Sequence, residues 1–385
     1  RGGNDVIDGG EGNDTLESTS GNDTIDGGTG NDTINSGDDN DVVTGGSGDD
    51  IINAGAGNDT VDAGDDNDWV SVHLGDEHKL DKLDGGDGID TLSADFSNQT
   101  VDIVIDEGNL NGGYRFDDGS YFVNFERFND FWTGSGNDTI IIETREADND
   151  FRTGSGDDAI IMPARGRDYV DGGEGNDLLV LDYSIDDTGD IAVYGKLGFT
   201  NNAGVISAHQ ILDNGRLGTA RDYLSTRNVE RFQLTGTGQD DFFSISTYTN
   251  SDDILIAGAG DDHFISRGGN DVIDGGEGND TLESGTGNDQ VEGGKGNDTI
   301  YLGNDSDHDT VTYTLGDGTD TIHQFTQGPD GDLLSFNDIA FIDVLTIDNN
   351  TQFHLSNGPN DNIAFGEGEL LVSLTNTSGL TATDL

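Results

Sequence analysis

From Gly9 to Ser71 the chain has a period of nine: GGEGNDTLE, STSGNDTID, GGTGNDTIN, SGDDNDVVT, GGSGDDIIN, AGAGNDTVD, AGDDNDWVS. Position six of each unit is aspartate: Asp14, Asp23, Asp32, Asp41, Asp50, Asp59 and Asp68, and Asp5 extends the register one unit earlier. Position eight is always aliphatic: Leu16, Ile25, Ile34, Val43, Ile52, Val61 and Val70. Six Gly/Asn/Asp-rich residues make a turn that uses positive φ angles. The three residues left form a short strand with one inward side chain. Such a unit buries almost nothing alone, so its neighbours must stack on it. Two units then make one coil, with strands on opposite sides and a turn at each end.

Stacked strands lie about 4.8 Å apart, so position-six carboxylates of alternate units are brought together. They repel unless a cation sits between them. Carboxylate and carbonyl oxygens in a flexible turn suit Ca²⁺ better than Mg²⁺. A cation supply also answers the composition. With 78 acidic against 16 basic residues the formal net charge is −62, and only 31% of residues are hydrophobic. Those values alone read as disorder, but a disordered Gly/Asp linker does not place an aliphatic residue at every ninth position. The same charge excludes nucleic acid and anionic lipid as partners. No run of about twenty apolar residues suggests a membrane span, and no signal peptide is visible. With no cysteine among 385 residues, no disulfide staples the chain.

A second clean run covers Ala257–Tyr301, with Asp262, Asp271, Asp280, Asp289 and Asp298. Between the runs the motif surfaces as islands: GGDGIDTLS (Asp90), TGSGNDTII (Asp138), TGSGDDAII (Asp158), PARGRDYVD (Asp168), GGEGNDLLV (Asp177) and TGTGQD (Asp240). Asp320 is the last candidate. Two units, Ser36–Thr44 and Ala63–Ser71, carry Asp in place of the second glycine pair, and VHLGDEHKLDKLD at 72–84 breaks the register. The gaps between islands resemble each other: Asp90, Phe96, Glu126–Phe128 and Asp138 align with Asp177, Tyr183, Glu230–Phe232 and Asp240. They read as two β-rich insertions of one design, with alternating strands such as VDIVI and DIAVY. ISAHQILDNGRL reads as a short helix. The aromatics Tyr114, Phe116, Tyr121, Phe122, Phe125, Phe128, Phe131 and Trp132 fit either an insertion core or an exposed contact patch for a sugar or a second subunit.

These units resemble the RTX (repeats-in-toxin) family, whose signature is GGxGxDxUx, with U a large aliphatic residue. The resemblance implies an all-β fold: parallel β-roll runs (a calcium-binding β-solenoid), interrupted by β-rich insertions and closed by a C-terminal β-rich cap. It implies Ca²⁺ ligation by turn carbonyls at glycines such as Gly9, Gly27, Gly45, Gly275 and Gly293, and by the aspartates named above. Roughly ten ions follow, each taking about six to eight oxygens. The expected boundaries are 1–93 for the first roll, 94–256 for the insertions, 257–323 for the second roll, and 324–385 for the cap and a type I secretion segment. The family's route implies a type I ABC exporter as partner and an extracellular or bacterial cell-surface location.

Catalytic constellations are missing from the sequence. There is no cysteine nucleophile, no HExxH and no GxSxG, so the expectation is that the chain is not an enzyme. His73, Glu77 and His78 form the one near group of potential transition-metal ligands, and they read as decoration of an irregular turn. The N-x-T sequons fall at position five because the register creates them. The outward threonine array is broken by Val6, Val42, Ile51 and Trp69, which disfavours ice binding.

The string RGGNDVIDGGEGNDTLES occurs at Arg1–Ser18 and again at Arg267–Ser284. Its variable positions match too, which points to duplication of a unit of about 266 residues and to a longer array upstream. The favoured expectation is a secreted structural or cell-surface protein of surface-layer, adhesin-like or extracellular-matrix type that folds on Ca²⁺ after export. Other copies of itself and cell-surface polysaccharide are its expected partners. The alternative is the C-terminal folding and secretion region of a secreted enzyme or toxin.

Overall fold

The computed structural model describes residues 2–72, 81–106, 114–115, 121–143, 148–163, 167–184, 191–198, 203–211, 217–245, 250–328, 331–339, 342–347, 349–355 and 370–377. Every regular element among them is a β-strand. No helix there is long and apolar enough to cross a membrane. The chain divides into two units, Arg1–Leu178 with Leu224–Val229, and Leu179–Tyr223 with Glu230–Leu385.

In the first unit the nonapeptides alternate between two parallel sheets. One holds strands Val6–Asp8, Thr24–Thr29, Val42–Ser47, Thr60–Asp65, Lys82–Asp84 and Tyr121–Val123; the other holds Thr15–Glu17, Thr33–Asn35, Ile51–Gly55, Trp69–Val72, Thr91–Ala94 and Arg127–Phe128. The pairing sets position-eight residues directly over one another. Ile7, Ile25, Val43, Val61, Leu83 and Phe122 make one inward column. Leu16, Ile34, Ile52, Val70, Leu92 and Phe128 make the other. From Ile25 to Leu92 these aliphatic side chains are at most 2% exposed. One inward residue per strand is all that the period of two allows in three residues. The ladder resumes after the stretch at 72–84, of which 73–80 lie outside the described residues: Asp59 and Asp81 are 22 residues apart, against 18 for Asp41 and Asp59.

Further coils of this unit pair Val104–Asp106, Thr139–Ile141 and Ala159–Pro163 in one sheet, and Phe131–Gly134, Asp150–Gly154 and Arg167–Asp171 in another, all parallel. Here the core is aromatic. Phe96, Phe122, Phe125, Phe128, Phe131 and Phe151 are all buried, with Phe128 and Phe131 edge-on at 5.3 Å between centroids. Of the two readings of these aromatics, burial selects the core for the phenylalanines, while Trp132 points outward. The side chains of Tyr114 and Phe116 lie outside the described residues.

The second unit repeats the plan. Phe243, Phe264, Leu282, Ile300, Ile322 and Leu374 form one inward column. Leu234, Leu255, Ile273, Val291, Val311 and Leu334 form the other. The C-terminal cap is β-rich: Leu370–Leu374 joins Asp320–His323 in parallel, then pairs antiparallel with Asn350–Leu355, which pairs antiparallel with Ile342–Ile347. The helix expected over ISAHQILDNGRL is not formed. Ala203–Ile211 is a strand, laid antiparallel on Ile191–Gly198 over eight residue pairs from Ile191↔Gln210 to Gly198↔Ala203. A ladder that long satisfies the backbone in the extended state and outweighs a weak helical pattern. Residues 212–216 lie outside the described residues.

The two insertions share details of geometry. Phe96 N–H donates to the Trp132 carbonyl and Tyr183 N–H to the Thr235 carbonyl, at 2.8 and 2.9 Å. The side-chain amide of Asn124 donates to Asp84, as that of Asn228 does to Asp171.

Candidate metal sites in the turns

Each turn is clipped to its neighbours in both directions. The position-six carboxylate takes a backbone N–H from the preceding coil through Oδ1. Asp14 donates to Asp32, Asp32 to Asp50 and Asp50 to Asp68, at 2.7–2.8 Å. On the opposite edge Asp5 donates to Asp23, Asp23 to Asp41 and Asp41 to Asp59, at 2.7–2.9 Å. In the second unit Asp262, Asp280, Asp298 and Asp320 form one ladder, and Asp271, Asp289, Asp309 and Asp332 the other. Position five answers in the reverse sense: the side chains of Asn4, Asn22 and Asn40 accept N–H groups from Asn22, Asn40 and Asn58 of the following coil. The sequence reading missed this role for position five, and nothing in the composition of one unit signals it.

The second carboxylate oxygen is where the site lies. Oδ2 is buried without a hydrogen-bond donor in Asp5, Asp14, Asp23, Asp32, Asp41, Asp50, Asp68 and Asp90, and again in Asp158, Asp262, Asp271, Asp280, Asp289 and Asp298. A buried carboxylate oxygen with no partner is costly. Beside it a carbonyl from the next coil converges on the same point. A Cβ built on Gly27 would stand 2.5 Å from the Gly45 carbonyl oxygen and 2.6 Å from Asp32 Oδ2. One on Gly9 would stand 2.5 Å from the Gly27 carbonyl and 3.0 Å from Asp14 Oδ2. Gly45, Gly275 and Gly293 occupy the same place against Asp50, Asp280 and Asp298. Glycine at position one thus leaves open a cradle lined by carbonyl and carboxylate oxygen. This donor set is hard and anionic, as Ca²⁺ requires. Among the described residues no three His, Asp or Glu side chains gather as a ready metal cluster, so backbone carbonyls have to supply much of any coordination sphere.

Burial makes several of these carboxylates reluctant to ionise in the cation-free chain. Loss of solvation pushes Asp50 up to about 6, Asp68 and Asp90 up to about 7, Asp280 and Asp289 up to about 7, and Asp262 up to about 8. The backbone N–H bonds oppose the shift and the neighbouring carboxylates add to it. Asp298 and Asp320 are both raised, again by burial first.

The units with an extra Asp keep their ladder positions. Asp39 and Asp66 take the glycine place with φ of 78° and 81°, a conformation that Asp tolerates better than most residues. Asp39 Oδ2 receives the Gly21 N–H at 3.1 Å. Of the island aspartates, Asp138, Asp158 and Asp177 share one ladder, and Asp168 accepts the N–H of Asn149.

Asp240 departs from expectation. It is exposed, and its Oδ1 accepts the Asp261 N–H in the position-five manner. Asp241 holds the buried ladder place and donates its N–H to Asp262. The reason is Phe243, the inward residue two positions after Asp241, which fixes the register. The structure also adds Asp81, Asn149, Asp253, Asp309 and Asp332 to the ladders. A signal for them existed: each stands two residues before a buried apolar residue, Leu83, Phe151, Leu255, Val311 or Leu334. The glycines had gone, but the x-D-x-U half of the motif remained. His73, Glu77 and His78 lie outside the described residues.

The sequence profile of the RTX calcium-binding nonapeptide repeat matches at residues 1–34, 17–52, 35–70, 164–182, 247–282 and 274–308. These runs are RTX calcium-binding repeats. No curated protein matches the chain. In the RTX runs, then, the buried unpartnered oxygens fall inside segments of calcium-binding type. The Oδ1 ladders continue beyond the matched runs, at Asp90, Asp138 and Asp320.

Proposed function

We propose that the chain is a calcium-folded segment of a secreted structural or cell-surface protein, of surface-layer, adhesin-like or matrix type, and that it is not an enzyme. The observation that carries this reading is the column of buried Asp Oδ2 atoms lacking a donor, which at Asp14, Asp32, Asp50, Asp280 and Asp298 stand beside a glycine cradle. The ladder aspartates whose Oδ2 is bare, with turn carbonyls such as those beside Gly9, Gly27, Gly45, Gly275 and Gly293, hold the ions, about ten in all, and each bound Ca²⁺ supplies two positive charges where the turns place negative ones. These bring about +20, which leaves a surface of roughly −40 that stays soluble and repels nucleic acid.

Because the cradle exists only when two coils are stacked, binding free energy is folding free energy. Extracellular calcium modules bind at about 10⁻⁴–10⁻³ M, so the repeats stay open where calcium is scarce and close outside the cell. That logic suits a type I ABC exporter as the export route, and other copies of the chain or a surface polysaccharide as later partners.

The test is a Ca²⁺ titration of EDTA-stripped protein followed by far-UV circular dichroism and light scattering. A cooperative gain of β-structure that Mg²⁺ does not reproduce is expected, followed by scattering from ordered assemblies. Full β-structure in EDTA sinks the calcium reading. A chain that folds with Ca²⁺ but stays monomeric points instead to the folding and export region of a secreted enzyme or toxin.

A further inference from the structure

The ladder side chains fall into two classes, sorted by what their second polar atom meets. In the nonapeptide runs that atom is a buried oxygen with no donor at Asp14, Asp23, Asp32, Asp50, Asp280 and Asp298. Between Asp90 and Asp158 the pattern changes. The ladder place there is taken by Asn149, which is 4% exposed. Its Oδ1 accepts the Phe128 N–H at 3.0 Å, and its backbone N–H donates to Asp168 Oδ1 at 2.9 Å. Its side-chain amide donates to the same Asp168 oxygen at 3.2 Å. On the opposite edge Asp138 accepts from Ile103 through Oδ1 and from Gly134 through Oδ2, at 2.7 and 3.3 Å. Here protein N–H groups stand where the runs leave a carboxylate oxygen bare. Asp158 is the exception, with a bare Oδ2 as in the runs.

The packing differs in the same stretch. The runs bury one aliphatic side chain per turn. This block buries Phe96, Phe122, Phe125, Phe128, Phe131 and Phe151, with neighbouring ring centroids 5.3–6.4 Å apart. Each ring removes about 150–250 Å² from water. On the outer face Arg152 lies over Trp132 at 4.8 Å and Tyr169 at 5.2 Å, and pairs with Asp130 and Asp150. Apolar burial and internal donors replace what the runs leave to a cation.

We propose that the coils from Phe122 to Gly154, centred on Asn149 and the phenylalanine stack, form a calcium-independent core of the first unit. The block stays folded when the runs before and after it in the chain are stripped of Ca²⁺. This inference rests on the calcium reading of the runs. It divides the chain into parts that respond to calcium and a part that does not.

Hydrogen exchange read by mass spectrometry, on the full chain with and without EDTA, tests it. In EDTA the amides of Phe131–Gly134 and Asp150–Gly154 exchange at least about tenfold more slowly than those of Thr24–Thr29 and Thr281–Thr286. With Ca²⁺ all four segments are protected. Fast exchange of all four in EDTA overturns the core and leaves the calcium reading standing. Protection of all four in EDTA overturns both. The variant Asn149→Asp sets a second carboxylate against Asp168 in place of the amide donor. It loses protection of Asp150–Gly154 in EDTA, regains it with Ca²⁺, and binds one more ion by equilibrium dialysis. If the variant keeps its protection in EDTA, the role given to Asn149 is wrong.

Discussion

Asp14 and Asp32 are tied across adjacent coils: the backbone N–H of Asp14 donates to Asp32 Oδ1 at 2.7 Å, while Asp32 Oδ2 lies buried with no donor. One carboxylate therefore sets the coil spacing with one oxygen and offers the other to a cation. Replacing Asp32 by alanine removes both functions. We expect a loss of about 1–3 kcal/mol of stability in saturating Ca²⁺, the range for a buried hydrogen bond to a charged group, together with fewer bound ions. Denaturation midpoints in Ca²⁺ and the ion count by equilibrium dialysis check this, and an unchanged ion count would show that Oδ2 holds no cation.

Gly27 and Gly12 make a matched pair of alanine substitutions. Gly27 has no need of a positive φ, but its Cβ would fall 2.6 Å from Asp32 Oδ2. Gly12 has φ of 109° and open space around it. Gly27→Ala should therefore weaken Ca²⁺ binding, seen by calorimetry as lost heat at that site. Gly12→Ala should cost about 1 kcal/mol through backbone strain and leave the ion count unchanged.

The raised carboxyls fix the sign of the pH dependence in the cation-free chain. Asp262 is pushed up to about 8 and Asp280 and Asp289 up to about 7, against about 3.9 in an unfolded chain. The folded state therefore binds more protons than the unfolded one across that interval, and its stability falls as pH rises through about 7 to 8. In EDTA, far-UV circular dichroism should therefore show more β-structure at about pH 5 than at about pH 8. An equal or reversed signal would contradict the shifts.

Asp240 and Asp241 separate register from motif. Asp241 accepts from Thr237 through both Oγ1 and the backbone N–H, whereas Asp240 is exposed. Asp241→Asn should lower the melting temperature measurably, while Asp240→Asn should stay within about 0.5 kcal/mol of the parent, as surface changes do. The reverse order would return the ladder place to Asp240.

Arg152→Ala removes the cation over Trp132 without touching a ladder. The expected loss is about 0.5–1 kcal/mol, typical of an exposed cation–π contact, with a shift in tryptophan emission and no change in bound calcium. A changed ion count would mean that the outer face is coupled to the turns.

The sequence by itself determined the period, the two sheets and most ladder positions. A nine-residue unit with one aliphatic residue has few ways to bury it, and the aspartate two positions earlier then falls at the turn. Ile25, Ile34 and Val43 stand where counting in nines puts them. Counting failed where the glycines were lost, because Asp81, Asp253 and Asp309 keep their places through Leu83, Leu255 and Val311 rather than through the turn signature. It also failed where a neighbour decided the matter: Phe243 chose Asp241 over Asp240, and the ladder on Ile191–Gly198 made a strand of Ala203–Ile211. Only the tertiary structure separated carboxylates whose second oxygen is bare from those met by a protein N–H. The turns of Asp138 (TGSGND) and Asp158 (TGSGDD) read almost alike, yet only Asp138 Oδ2 meets an N–H, from Gly134 four residues back. Each of these turns is set by the coil it is clipped to, 19 or 20 residues off in the chain, and a motif nine residues long does not reach so far.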